Sequence, residues 1–146
     1  MSYKQFHGIT SLTLTAVAIV IAAVTAFQTS WTLGIICLAI CLIAPPVIVY
    51  AYCAKCACKV HCAHVLPGKV ARLFDRAPGP YSKAEMSGMT LSLLLLIGVP
   101  QLWLWRSIGL LIVFWILIVF AVMQIRLFVC KTCGNTHCPL GPSQGE

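Results

Sequence analysis

The sequence predicts an all-α membrane protein with four transmembrane helices. Apolar residues make up 60% of the 146 residues and charged residues only 9%, whereas a soluble domain has about 25% charged residues. Residues 5–54, 86–105 and 107–125 contain no Lys, Arg, Asp or Glu. Because backbone groups in lipid must bond within the protein, such stretches without strand-like alternation predict helices rather than a barrel.

The lengths of the uncharged stretches place four spans along the chain. A helix needs about 20 residues to cross a hydrocarbon core of about 30 Å, so the first stretch holds two helices, at residues 9–27 and 32–52. The other stretches give helices at 87–105 and 107–128. The four helices are expected to form two hairpins in one polytopic domain, residues 1–146, with a loop at 53–86 and a tail at 129–146.

The first helix is predicted to be a retained span rather than a cleaved signal peptide, because its apolar run is longer than a typical signal h-region. Ala18, Ala22 and Ala26 recur every four residues, a pattern that suits close helix packing. Alanine as a neutral filler explains the same pattern equally well.

Basic residues predict which end of the bundle faces the cytoplasm. With four spans, both termini and the loop lie on one side, where nine of the ten Lys and Arg residues fall; only Arg106 lies on the other. The positive-inside rule then places both termini in the cytoplasm of a cell (inner) membrane. Anionic lipid accounts for the net charge of +7, so membrane lipid is an expected partner and nucleic acid is not.

The middle of the loop is predicted to be either an interfacial helix or a solvated segment. A turn is expected at residues 67–68, followed by a short amphipathic piece whose apolar side chains enter the lipid boundary while its basic ones face headgroups. Ser82 and Glu85 then form a capping box that starts the third helix. The interfacial side chains are Val70, Leu73 and Phe74, with Lys69, Arg72 and Arg76.

Cysteine and histidine residues are concentrated in the loop and the tail, which hold seven of the nine cysteines and three of the four histidines. Cytoplasmic thiols stay reduced, so disulfides are not expected, and C-x2-C pairs typically bind metals. The predicted metal ligands are Cys53, Cys56, Cys58, His61, Cys62 and His64 in the loop and Cys130, Cys133, His137 and Cys138 in the tail.

Zinc is the favoured ion. Two C-x2-C pairs, 53–56 and 130–133, would complete a tetrahedral four-cysteine site that joins the exits of the second and fourth helices. The remaining three cysteines and three histidines suffice for a second site. The spacing leaves the partition of the ligands open.

An iron–sulfur cluster is the main alternative because it also takes four thiolates. The loop pattern C-x2-C-x-C-x3-C is one residue short of the bacterial ferredoxin run in its middle spacing and lacks the final proline, although Cys138 is followed by Pro139. The accompanying histidines favour zinc over iron–sulfur.

Cys37 and Cys41 lie four residues apart inside the second predicted helix. Packing as small apolar side chains is the simpler interpretation. The alternative is a soft-metal site, because residues four apart share one helix face and thiolates suit ions such as Cu(I).

The sequence favours a non-enzymatic protein. Only three acidic residues are present, which leaves few carboxylates for a metal hydrolase, and no histidine lies within a predicted span to bind haem. The expected function is that of a small membrane protein whose zinc site joins loop to tail and serves structure or the docking of a protein partner or second copy. Iron–sulfur electron transfer and soft-metal transport or sensing are the alternatives.

Overall fold

The computed structural model describes residues 3–59, 62–132, 135 and 138, and these residues are helical or irregular, without strands. Two of the helices, the second and the last, continue into single π-helical turns, at Val49–Cys53 and Ile125–Val129. A 3-10 turn at Cys130–Thr132 follows the last of these. In chain order the helices are α1 (Tyr3–Thr29), α2 (Trp31–Ile48), α3 (Val65–Arg72), α4 (Lys83–Gly98), α5 (Gln101–Leu104) and α6 (Ile108–Gln124).

Four helical segments are long and apolar enough to cross a membrane. Large apolar side chains such as Leu42 and Leu94 stay mostly exposed on their outer surfaces, as expected where lipid rather than water is the solvent. The expected all-helical class, with four helices able to cross a membrane, is confirmed for the described residues. The four segments are Tyr3–Thr29, Trp31–Cys53, Lys83–Leu104 and Ile108–Val129.

The first and third spans begin earlier than the sequence predicts. The first begins at Tyr3 instead of residue 9, because nothing in this stretch breaks a helix. The third begins at Lys83 instead of residue 87, because the predicted capping box is present. The Ser82 hydroxyl accepts the Glu85 N–H at 3.3 Å, and the Glu85 carboxylate accepts the Ser82 N–H at 2.7 Å. The third span is also interrupted at Pro100, which separates α4 from α5.

The alanine stripe of α1 lies at the centre of the bundle. Ala18, Ala22 and Ala26 are fully buried and pack with Trp103 and Phe114 in one core. The indole N–H of Trp103 donates to the Ala22 carbonyl at 2.9 Å. Small residues at this seam let the helices approach closely, so the stripe is a packing surface.

Helix α1 packs along both α2 and α6, and α2 packs in turn along α4. The first two spans therefore pack against each other, and the hydroxyl of Ser30 between them accepts the Thr32 N–H. The third span contacts the fourth mainly through α5. Throughout, the loop face means the end of the bundle at which Tyr3, Cys53, Lys83 and Val129 lie.

Candidate metal centre at the loop face

The structure describes seven of the ten predicted metal ligands. His61, Cys133 and His137 lie outside the described residues. The seven are Cys53, Cys56, Cys58, Cys62, His64, Cys130 and Cys138, and all are partly buried.

Each cysteine group begins at a π-helical turn that ends a span: Cys53 is the last residue of one turn and Cys130 directly follows the other. In the turn Val49–Cys53 the Ala54 N–H bonds the Val49 carbonyl at 2.8 Å, and the turn Ile125–Val129 ends in the same way at Cys130. A π turn widens the helix and rotates the residues beyond it, and such turns occur often at functional sites. The second and fourth spans therefore end in the same kind of π turn, one at Cys53 and the other just before Cys130.

Loop and tail meet through cysteine sulfurs and one asparagine. The Tyr52 hydroxyl lies 2.6 Å from Cys138 Sγ. Asn135 is 6% exposed, and its side-chain amide donates to Cys56 Sγ at 3.4 Å and to the Tyr81 hydroxyl at 3.1 Å. The Tyr52 and Tyr81 rings stack with centroids 4.8 Å apart. These contacts bring the exit of α2, the segment before α4 and the tail to one place.

The thiols of this cluster influence one another's ionisation. Burial raises the pKa of Cys56, Cys62 and Cys130, and neighbouring sulfurs raise it further. Backbone N–H groups partly oppose this: that of Cys58 bonds the Cys56 sulfur and that of His64 bonds the Cys62 sulfur. Hydrogen bonds of this kind stabilise thiolates, and they orient sulfur ligands around metals.

One ring nitrogen of His64 is held by α1, which leaves the other as a candidate ligand. The Ser11 hydroxyl donates to the Gly8 carbonyl at 3.0 Å, so its oxygen accepts from His64 Nε2, also at 3.0 Å. Burial lowers the pKa of His64, which favours the neutral ring. With the proton on Nε2, Nδ1 keeps the lone pair that a metal ion needs.

Gly8 lets the loop lie directly on α1. A Cβ at this position would lie 2.3 Å from the Ala63 carbonyl oxygen and 2.6 Å from its carbon. Only glycine permits this approach between the helix and the loop backbone. The close contact positions Ala63 and His64 beside the first span.

His7, the histidine outside the loop and the tail, belongs to a buried polar contact at the loop face. It is 9% exposed, its Nδ1 bonds the side-chain oxygen of Gln124, and its ring stacks on Phe128 at 4.1 Å. Within the described residues its Nε2 has no hydrogen-bond partner. This contact ties the start of the first span to the end of the fourth, close to Cys130 in sequence.

Glu85 holds the two basic side chains of the loop that lie nearest to it. Lys55 Nζ donates to its carboxylate at 2.9 Å and Arg76 donates to the other oxygen, in addition to the cap at Ser82. Arg76 faces lipid headgroups in only one of the two interpretations of this segment; in the structure it binds Glu85 and donates to the Tyr50 carbonyl at 3.2 Å. The loop is therefore fixed at its end as well as at Ala63.

Within residues 3–59, 62–132, 135 and 138, no three Cys, His, Asp or Glu side chains are gathered closely enough to hold a metal ion. The described thiols are neighbours rather than a closed coordination shell.

Cys37 and Cys41 lie away from this centre, within the second span. Cys37 is 3% exposed and packs in the core with Ala22 and Trp103. Both thiols line a cavity of about 10 Å³, about the space of one water molecule.

Comparison with known proteins gives no relative from which a function could be transferred: no family model, no curated protein and no solved structure matches this chain.

Proposed function

We propose that the protein is a small multi-pass membrane protein whose loop and tail bind zinc, and that the ion joins loop to tail as a structural element or as a docking site for a partner. The loop face lies in the cytoplasm in this proposal, in agreement with the basic residues of the loop and termini. The ligands come from the ten predicted residues, seven of which lie in the described part of the loop face.

The observation that carries the proposal is the convergence of sulfurs from two distant segments. Cys56 in the loop and Cys138 in the tail are held by Asn135 and Tyr52 respectively. Thiolates and imidazole are the ligands that zinc takes in structural sites. Among the described acidic residues, the nearby Glu85 does not compete as a ligand, because Lys55 and Arg76 bind its carboxylate.

The local hydrogen bonds also fit thiolate ligands. Cys56 and Cys62 each receive a backbone N–H from the second residue along the chain. His64 is anchored through Nε2 by Ser11, which leaves Nδ1 for the ion. Structural zinc sites in small peptides contribute about 10–16 kcal/mol, so an ion bound by these ligands would stabilise the contact between loop and tail.

The test is metal analysis of the full chain, purified anaerobically in detergent. Replacing Cys130 and Cys133 together with serine should lower the zinc content and expose the loop near Cys53 to protease. A matched control is the double Cys37→Ala, Cys41→Ala variant, which changes two thiols away from the loop face. If the tail variant keeps all its zinc and its protease resistance, the loop is a self-contained site and the loop-to-tail proposal fails.

Iron–sulfur electron transfer is the second candidate, and the excess of sulfur favours it. Seven of the ten predicted ligands are cysteines and three are histidines, and N–H groups bonded to sulfur are among the features that tune such clusters. Stoichiometric iron and sulfide in the anaerobic protein, with a brown colour, would decide for this candidate and against zinc.

A further inference from the structure

Helix α3 is held against the protein by one face only. Gly68 and Ala71 are buried, and a Cβ at Gly68 would lie 3.0 Å from Cys62 Cβ and 3.2 Å from the Lys59 carbonyl oxygen. The expected turn at residues 67–68 is wrong: α3 begins at Val65, and Pro67 lies in its first turn, where proline is tolerated. The close contact of Gly68 with Cys62 and Lys59 fixes the rotation of α3 about its axis.

The opposite face of α3 is apolar and exposed. Leu66, Val70 and Leu73 are 66%, 43% and 81% exposed. Their spacing of four and three residues puts them on one stripe, and at 3.6 residues per turn this stripe lies roughly opposite Gly68 and Ala71. Three adjacent exposed apolar side chains on a fixed helix indicate a surface that is covered in the working protein.

The position of α3 along the bundle identifies what covers it. Just beyond the helix, the Phe74 ring contacts the Tyr50 ring at 5.3 Å, and the Arg76 guanidinium lies 4.8 Å over the same Tyr50 ring. Tyr50 belongs to the last turn of the second span, Trp31–Cys53. The end of α3 therefore lies at the level where that span leaves the hydrocarbon, next to lipid.

The charges beside the apolar stripe match an anionic lipid surface. Lys69 and Arg72 are exposed and form the basic last turn of α3. Asp75 is the nearest acidic residue in sequence, and Glu85 already binds Lys55 and Arg76. An apolar stripe flanked by basic side chains is the pattern of helices that lie in the plane of a membrane interface.

We propose that α3 is an interfacial lipid-binding helix: Leu66, Val70 and Leu73 enter the headgroup–acyl boundary of the membrane that the four spans cross, and Lys69 and Arg72 bind the phosphates of anionic lipids. The partner of this apolar stripe is the lipid surface of the protein's own membrane. The experiment below also distinguishes lipid binding from contact with a second protein chain. The inference does not depend on which metal the loop binds.

The first experiment measures backbone hydrogen exchange of residues 65–74 in nanodiscs of phosphatidylcholine alone or mixed with phosphatidylglycerol. Protection should be greater in the anionic discs. Lys69→Gln with Arg72→Gln should remove the difference between the two lipids, and Leu66→Gln with Leu73→Gln should remove protection in both. Lys83→Gln is the matched control, an exposed basic residue outside α3, and it should behave like the unaltered protein.

A lipid titration measures how much Lys69 and Arg72 contribute to the binding of anionic lipid. Each basic residue near an anionic surface strengthens binding roughly five-fold, so the double Lys69, Arg72 variant should need about 25-fold more short-chain phosphatidylglycerol for half-saturation in detergent micelles. Equal exchange in neutral and anionic discs would overturn the proposal. Protection gained in neutral discs from inorganic phosphate would assign a free-anion site instead, and protection that rises with protein concentration would assign a second copy.

Discussion

Replacing Gly8 with alanine should separate the loop from the first span. The new Cβ would lie 2.3 Å from the Ala63 carbonyl oxygen, whereas carbon and oxygen normally approach to about 3.3 Å. The loop backbone must therefore move by about 1 Å, and no flexible side chain can absorb the shift. Overpacking of this kind costs about 1–3 kcal/mol, while alanine gains about 1 kcal/mol of helix propensity over glycine.

Gly109→Ala is the matched control, because a Cβ there meets nothing within 4 Å and only the helix propensity changes. Between the two variants the free energies of unfolding should differ by about 1–3 kcal/mol. Backbone hydrogen exchange at residues 62–64 should be faster in Gly8→Ala by about 5- to 150-fold. Equal protection of residues 62–64 from hydrogen exchange in both variants would refute the claim that Gly8 allows the loop to pack on α1.

Three other predictions concern the metal, the membrane thiols and the orientation. Because burial raises the pKa of Cys56 and Cys62, these thiols are protonated near neutrality. Zinc must then displace protons, and its affinity should rise with pH by about tenfold per unit for each thiol displaced; calorimetry in buffers of different ionisation enthalpy measures the release. Replacing Cys37 and Cys41 with alanine should leave metal content unchanged and cost less stability than serine, whose hydroxyls would be buried in an apolar cavity; loss of metal uptake into vesicles with an intact fold would instead assign a conduit. Reporters fused after residue 146 and within residues 65–80 should read cytoplasmic and one near Trp31 exported, and the reverse pattern would invert the proposed orientation.

The spans could be predicted because lipid imposes simple demands on sequence. A charge-free stretch of sufficient length forms a helix in lipid, and the capping box at Ser82 and Glu85 depends on residues three apart. Both kinds of information are local. The starts of the first and third spans were placed too late because polar residues at a span end can stay helical, as Tyr3 and Lys83 do.

The contacts of the loop face could not be predicted because they join distant residues of ordinary type. His7 and Gln124 are 117 residues apart, and neither has a local motif that indicates the other. Asn135 lies between predicted ligands of the tail, yet its amide was not recognised as the group that links Cys56 to Tyr81. A histidine and a glutamine at the ends of apolar spans were the available signals, since buried polar groups in a membrane need partners.

The contact between Asn135 and Cys56 can form only late in synthesis, after both the loop and the tail have been made. The two residues are 79 positions apart, so at about 5–20 residues per second a ribosome needs roughly 4–16 s to make the tail after the loop cysteines have emerged. In that interval the third and fourth spans must also enter the membrane, while the loop can already rest against Gly8. The loop thiols are therefore synthesised several seconds before Asn135, and the contact between Asn135 and Cys56 forms only after that interval.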